Sequence, residues 1–169
     1  MENDRLTAWV RASNATGVRT LALAVATVGG VGYAPVAPGT FGALVAVPLL
    51  PALAGLRSSS VAAYAATVVA LIGAAVWAAG RAEESLGGHD HARIVVDEVV
   101  GLVVAGLFVP GTWGAAALAF VLFRLFDVWK PFPAALIDER VRGGLGVVGD
   151  DLVAGVYAGL VSRGLLGLV

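Results

Sequence analysis

Eight of the twelve acidic residues in this chain lie between Asp90 and Asp151, six of them in three short blocks: HDHARIVVDEVVG (89–101), FRLFDVWKPFP (123–133) and GGLGVVGDDLVAG (143–155). Long apolar runs separate them. A carboxylate at the centre of a bilayer-spanning helix costs about 2.5–3.5 kcal/mol, so such residues are rare and usually functional. Carboxylates with a few cations beside them, at the ends of apolar helices, suggest a divalent-metal or phosphate site. With no cysteine and only two histidines, the donor set Asp97, Glu98, Asp127, Asp150 and Asp151 suits Mg²⁺ better than zinc. Mg²⁺ takes carboxylate and water oxygens and usually shares its shell with substrate phosphate. Arg124, Asp127 and Lys130 recur at three-residue spacing, which puts them in one stripe on a helix. Two cations bracketing a carboxylate make a phosphate-binding and metal-binding face.

Blander readings compete with this one. The stripe could be an internally paired set of charges. Asp97-Glu98 and Asp150-Asp151 could serve only as helix starts, where acidic residues are favoured by the macrodipole and as caps. In YAPVAPGTFG (33–42) there is no GK[ST] ending, so it is not a P-loop. Gly39 and Thr40 nevertheless offer backbone N–H groups at a helix start, able to hold a phosphate oxygen. His89, Asp90 and His91 form a polar loop beside the acidic helix, with Asp90 the best site candidate. Asp138, Glu139, Arg140 and Arg142 read as solvated loop charges at headgroup level, with Asp138 a further candidate for the site.

The elements that must position these residues are apolar. The chain is 59% hydrophobic and 14% charged, with a mean hydropathy of +0.88; this is an integral or deeply membrane-associated single domain over 1–169. A net charge of −1 gives no reason to expect a nucleic-acid partner. Residues 1–20 are polar and are expected to form a short amphipathic helix or arm, without the apolar core of a cleaved signal peptide. Thr40 is expected to cap a helix over about 41–56, kinked at Pro48 and Pro51. The segment 61–80 is uncharged for twenty residues, enough to cross the hydrocarbon core. Val99–Phe123 is uncharged for twenty-five, but Pro110-Gly111 is a strong turn signal. A helical hairpin turning there returns the flanking acidic blocks to one side of the membrane. Gly149-Asp150-Asp151 reads as the cap of a last apolar segment, Leu152–Val169. Arg5, Arg11 and Arg19 favour a cytoplasmic start and hence a cytoplasmic site.

From the residues alone, the expectation is a membrane enzyme acting on a phosphorylated lipid. The rival class is a small ion-coupled transporter or channel that uses the same intramembrane carboxylates, although no repeated halves are visible. The segments YAPVAPGTFGAL, IVVDEVVG, FRLFDVWKPFP and GGLGVVGDDLVAG, in this order, resemble the phosphatidylglycerophosphatase A family. The resemblance covers about residues 28–160. It implies an all-α helical bundle, with a central helix surrounded by others, in the bacterial cytoplasmic membrane. It also implies a Mg²⁺-dependent phosphatase that converts phosphatidylglycerol phosphate to phosphatidylglycerol and inorganic phosphate. Its working residues would be Asp97, Glu98, Asp127, Lys130, Asp150 and Asp151. Lys130 and Arg124 would then clamp the phosphate, and Asp127 or Asp151 would act as general base toward water.

Overall fold

Ala, Val, Leu and Gly supply the helix-compatible apolar runs of this chain, and every regular element among the described residues is helical. The structure, a computed structural model, describes residues 16–87 and 91–167. In chain order the helices are α1 (Thr16–Ala26), α2 (Pro38–Ala46), α3 (Leu49–Ser59), α4 (Val61–Leu86), α5 (Val96–Ala105), α6 (Trp113–Trp129), α7 (Ala134–Arg140) and α8 (Gly144–Leu165). A 3₁₀ turn at Val31–Tyr33 joins α1 to α2.

The all-helical expectation holds, and so does the central helix. Nine of the ten residues of α5 are buried, because α2, α4, α6 and α8 all pack around it. A helix covered on every side must be apolar on every side; only Asp97 and Glu98, in its first turn, break that rule. The hairpin holds as well. Residues 106–112 turn the chain, Thr112 accepts a bond from the Ala115 N–H at 3.3 Å to start α6, and α6 runs back along α5.

Glycines set how closely the helices approach. A methyl group built on Gly101 would lie 2.6 Å from the Phe123 ring and 2.8 Å from the Asp151 carbonyl oxygen. One on Gly155 would overlap the Gly101 carbonyl, and one on Gly144 the Val76 carbonyl. Small residues at such crossings let apolar helices pack backbone to backbone. Thus α5 and α8 lie in contact, side by side in the same direction, with their acidic residues at one end of the bundle.

Three apolar segments are long enough to cross a membrane: Pro38–Ser59, Val61–Leu86 and Gly144–Leu165. In the first two, only 22% of the most apolar stretch is buried inside the protein. Their outer faces, with Phe41, Leu44, Val45 and Val69 exposed, suit a hydrocarbon surround.

Several local expectations are corrected. The first long apolar segment begins at Pro38 rather than Phe41, and Ala37, with φ 48°, occupies the cap position expected for Thr40. Proline at a first helical position loses no hydrogen bond. Pro48 does separate α2 from α3, but Pro51 lies in the first turn of α3 and leaves it unbroken. Helix α4 continues six residues past the expected Gly80 to Leu86. Helix α8 begins at Gly144, so Asp150 and Asp151 are interior residues rather than caps. The glycines of GGLGVVG look like a loop by propensity, but Gly144 and Gly149 are close-contact positions against α4 and Ile137. Residues 138–140, expected as loop, belong to α7. Residues 16–20 are helical, in line with a helix in the N-terminal stretch; residues 1–15 lie outside the described residues.

Candidate active site

Four elements deliver charge to one end of the bundle. Asp97 and Glu98 come from the first turn of α5, Arg124 and Asp127 from the last turns of α6, Asp138 from α7, and Asp150 and Asp151 from the second turn of α8. Lys130 sits where α6 stops. It caps that helix in the left-handed conformation, with φ 46°, which lifts its side chain off the helical stripe. Such a conformation in a non-glycine residue costs about 1–3 kcal/mol and is characteristic of functional sites.

Asp97, Glu98 and Asp151 each offer a carboxylate oxygen, and these oxygens lie within 4.8 Å of one another. Asp97 is 6% exposed and Asp151 3%. Glu98 Oε2 is buried without a hydrogen-bond partner, although Asp97 hydrogen-bonds to the Glu98 side chain. A buried, unpartnered carboxylate oxygen is costly and fits a site that is completed by a cation. All three donors are hard carboxylate oxygens, as a divalent ion of the Mg²⁺ type requires.

Around this cluster the charges interlock. Arg124 Nη1 bonds Asp127 Oδ2 directly and stands 3.7 Å from Glu98 Oε1. The Asp127 carboxyl stands in turn beside that of Asp151. Lys130 Nζ reaches Asp150 Oδ2 at 2.7 Å and Asp138 Oδ2 at 3.0 Å. Six carboxyls thus face two cations. Burial pushes the Glu98 carboxyl above its ordinary range, and the Asp127 charge pushes the same way; the hydrogen bond from Asp97 and the Arg124 charge oppose them. Burial pulls the Lys130 ammonium down, but its pairs with Asp150 and Asp138 outweigh that and hold it above the usual lysine range.

The loop YAPVAPGTFG reaches this cluster through Gly39. A methyl group there would overlap Glu98 Oε1 and come within 3.3 Å of Arg124 Nη1, so only glycine fits against the charged pair. The Thr40 N–H is already used, bonded to the Ala37 carbonyl at 3.0 Å. Gly39, one position earlier, has no intrahelical partner for its N–H.

Of the residues singled out from sequence, Asp97, Glu98 and Asp151 form the cluster itself. Asp127 lies between Arg124 and Asp151, and Asp150 faces Lys130. Lys130 pairs with Asp150 and Asp138 rather than extending the Arg124–Asp127 stripe, because the chain leaves the helix at that residue. His91 lies apart, its Nδ1 accepting from the Arg93 N–H at 3.2 Å, while His89 and Asp90 lie outside the described residues. Asp138 had only a weak signal in the sequence: no helical spacing relates it to Lys130 across the Pro131–Pro133 turn.

Residues 24–166 match the family model "Phosphatidylglycerophosphatase A". The chain is 36% identical over 138 residues to phosphatidylglycerophosphatase A of Escherichia coli strain K12, an alignment covering 81% of this chain and 76% of that protein. It is 35% identical to the enzyme of the same name from Haemophilus influenzae, over 74% of this chain and 76% of the other. A Bacteroides thetaiotaomicron protein provisionally named a phosphatidylinositol-3-phosphatase is 42% identical, over 82% of this chain and 91% of its own length. No solved structure matches the chain significantly. A phosphomonoesterase, and not the ion-coupled transporter that its buried carboxylates also suggested, this chain belongs to the phosphatidylglycerophosphatase A family.

Proposed function

We propose that the protein hydrolyses phosphatidylglycerol phosphate to phosphatidylglycerol and inorganic phosphate in a bacterial cytoplasmic membrane, with Mg²⁺ as cofactor and its site facing the cytoplasm. The observation that carries this reading is the convergence of Asp97, Glu98 and Asp151 around the unpartnered Glu98 Oε2, at the polar end of apolar helices. The family names two kinds of relative, and two relatives carry the phosphatidylglycerophosphatase name, which favours the glycerol lipid.

Asp97, Glu98 and Asp151 would hold the Mg²⁺. When bound, the ion supplies positive charge that offsets these carboxylates and the oxygens of the substrate phosphoryl group. The chain's own residues do the rest. Lys130 spends two of its three N–H donors on Asp150 and Asp138, which leaves one for a phosphate oxygen. Arg124 engages Asp127 and Glu98 through Nη1 alone, so its other donors serve the same phosphate. The Gly39 N–H adds a neutral donor at the start of α2. Asp127, more accessible than the neighbouring Asp151, takes the proton of the attacking water. Water's oxygen bonds to phosphorus as the bond from phosphorus to the glycerol oxygen breaks, and that oxygen takes up a proton from solvent to leave as the alcohol of phosphatidylglycerol. Asp150 and Asp138 position Lys130 and do not themselves meet the substrate.

The test is phosphate release from phosphatidylglycerol phosphate by purified, detergent-solubilised protein, with Mg²⁺ or with a chelator, beside Asp127→Asn. Release should require both the metal and Asp127, with the variant down by about 10³-fold or more and still folded. Full activity in Asp127→Asn would remove that residue from the mechanism. Release that is indifferent to chelation would remove the metal.

A further inference from the structure

Two pockets share the Tyr33-Ala34 segment and differ in character. One, of about 350 Å³, is lined by His91, Arg93, Pro35 and Pro38 along with Gly32 and Tyr33. The other, of about 400 Å³, is lined by Phe41, Leu44 and Val45 of α2 along with Val31 and Tyr33. The first contains a cation; the second is apolar and opens on a face that suits the bilayer. The Arg93 guanidinium stands over the Tyr33 ring, 5.1 Å from its centre. A cation–π contact uses the guanidinium's face and leaves its in-plane N–H donors available to an anion. The polar pocket is also close to the chemistry. Pro38 forms part of its wall, and the next residue, Gly39, abuts Glu98 and Arg124.

A phospholipid carrying a terminal phosphomonoester has a second phosphate, the diester that joins its headgroup to diacylglycerol. That anion must lie one headgroup length from the reacting phosphorus and beside the acyl chains. The geometry points to Arg93 and the pocket beneath Tyr33 as the subsite for this phosphodiester, with the apolar pocket across Tyr33 receiving the start of the acyl chains. The inference rests on the lipid-phosphatase reading above. It makes Arg93 a substrate-binding residue that touches the diester and not the reacting group.

The test compares wild type, Arg93→Gln and Arg93→Lys in mixed micelles. Phosphatidylglycerol phosphate serves as substrate, and phosphatidylglycerol and inorganic phosphate as competing inhibitors. Phosphatidylglycerol carries only the diester, whereas inorganic phosphate can occupy only the monoester position. Arg93→Gln should raise KM about tenfold or more, the scale of a lost charge-assisted hydrogen bond, with kcat changed by less than about twofold. Ki for phosphatidylglycerol should rise in parallel and Ki for phosphate should not, with Arg93→Lys intermediate. An unchanged KM, or equal loss of affinity for both inhibitors, overturns the subsite while leaving the phosphatase reading intact. A folded wild type that releases no phosphate overturns the reading itself, and the subsite with it.

Discussion

Lys130 is the only lysine in the chain, and two carboxylates depend on it. Replacing it with methionine removes the Lys130 ammonium that pairs with Asp150, which is 6% exposed. Breaking such a pair from one side costs about 3 kcal/mol, because the other charge stays buried. Lys130→Met should therefore melt well below wild type, and adding Asp150→Asn should recover much of the loss; a double-mutant cycle in chemical denaturation measures this coupling. Additive losses would mean that the two residues do not interact. Glu98 gives a prediction of opposite sign with pH. Its folded pKa is raised by burial, so its contribution to stability is fully present below the unfolded value, near 4.5, and is lost as pH rises through the folded value. In chelator, the melting temperature should rise as pH falls from 7 toward about 5. Mg²⁺ at pH 7 should restore it, and Glu98→Gln should flatten the dependence. Chelated wild type that melts identically at both pH values would contradict a strained Glu98. The cluster members were legible in the sequence because charge is scarce there and each acidic pair stands out against apolar neighbours. The Lys130–Asp138 and Lys130–Asp150 pairs were not, because they arise from a left-handed residue and a proline turn that helical spacing cannot anticipate.

The helices bring these residues together through glycines rather than through large core side chains. Gly101→Ala or Gly155→Ala should drive α5 away from α8, moving Asp97 and Glu98 relative to Asp151. The expected cost is about 1–3 kcal/mol for overpacking, with a larger proportional loss of activity. Gly39→Ala should do the reverse. It places a methyl group on the Glu98–Arg124 pair and should cut activity at least about 100-fold, a misplacement effect, with little change in melting. Gly73→Ala, in α4 with nothing within 4 Å of the added methyl, is the control and should stabilise by up to about 1 kcal/mol. Equal effects at Gly73 and Gly101 would show that helix propensity, not close packing, governs these sites. The same glycines explain which elements could be read from sequence. The turn at Pro110-Gly111 and the apolar run from Val61 follow directly from turn chemistry and length. The start of α8 does not, because Gly144, Gly146 and Gly149 carry a loop signal locally, and only their contacts with neighbouring helices make them helical. The start of α2 was misplaced for a related reason: Pro38 suits a first helical turn as well as it suits a loop.

The path of the chain through the bundle sets its topology. The segment Pro38–Ser59 leaves the acidic end, Val61–Leu86 returns to it, the α5–α6 hairpin turns within the bundle, and Gly144–Leu165 leaves again. Helix α5, with ten residues, is about 15 Å long and cannot cross a hydrocarbon core of about 30 Å by itself. In a membrane it could lie at depth only because other helices surround it. Among the described residues, Arg19, Arg81, Arg93, Arg124, Lys130, Arg140 and Arg142 then lie at the acidic end, and only Arg57 and Arg163 toward the other. Arg57 is tied to the far turn, donating to the Leu107 carbonyl at 3.1 Å. Such an imbalance in Lys and Arg favours the cytoplasmic orientation proposed for the acidic end. The chain contains no cysteine, so single introduced thiols report sidedness without background. In intact cells, Ser58→Cys, at the exposed end of α3, should react with a membrane-impermeant maleimide. Glu139→Cys, in α7 beside the site and exposed, should react only after the membrane is opened. The reverse pattern would turn the enzyme over and place its substrate phosphate on the outer face. Labelling of both in intact cells would mean that the three apolar helices do not span the membrane, leaving a bundle that lies against it.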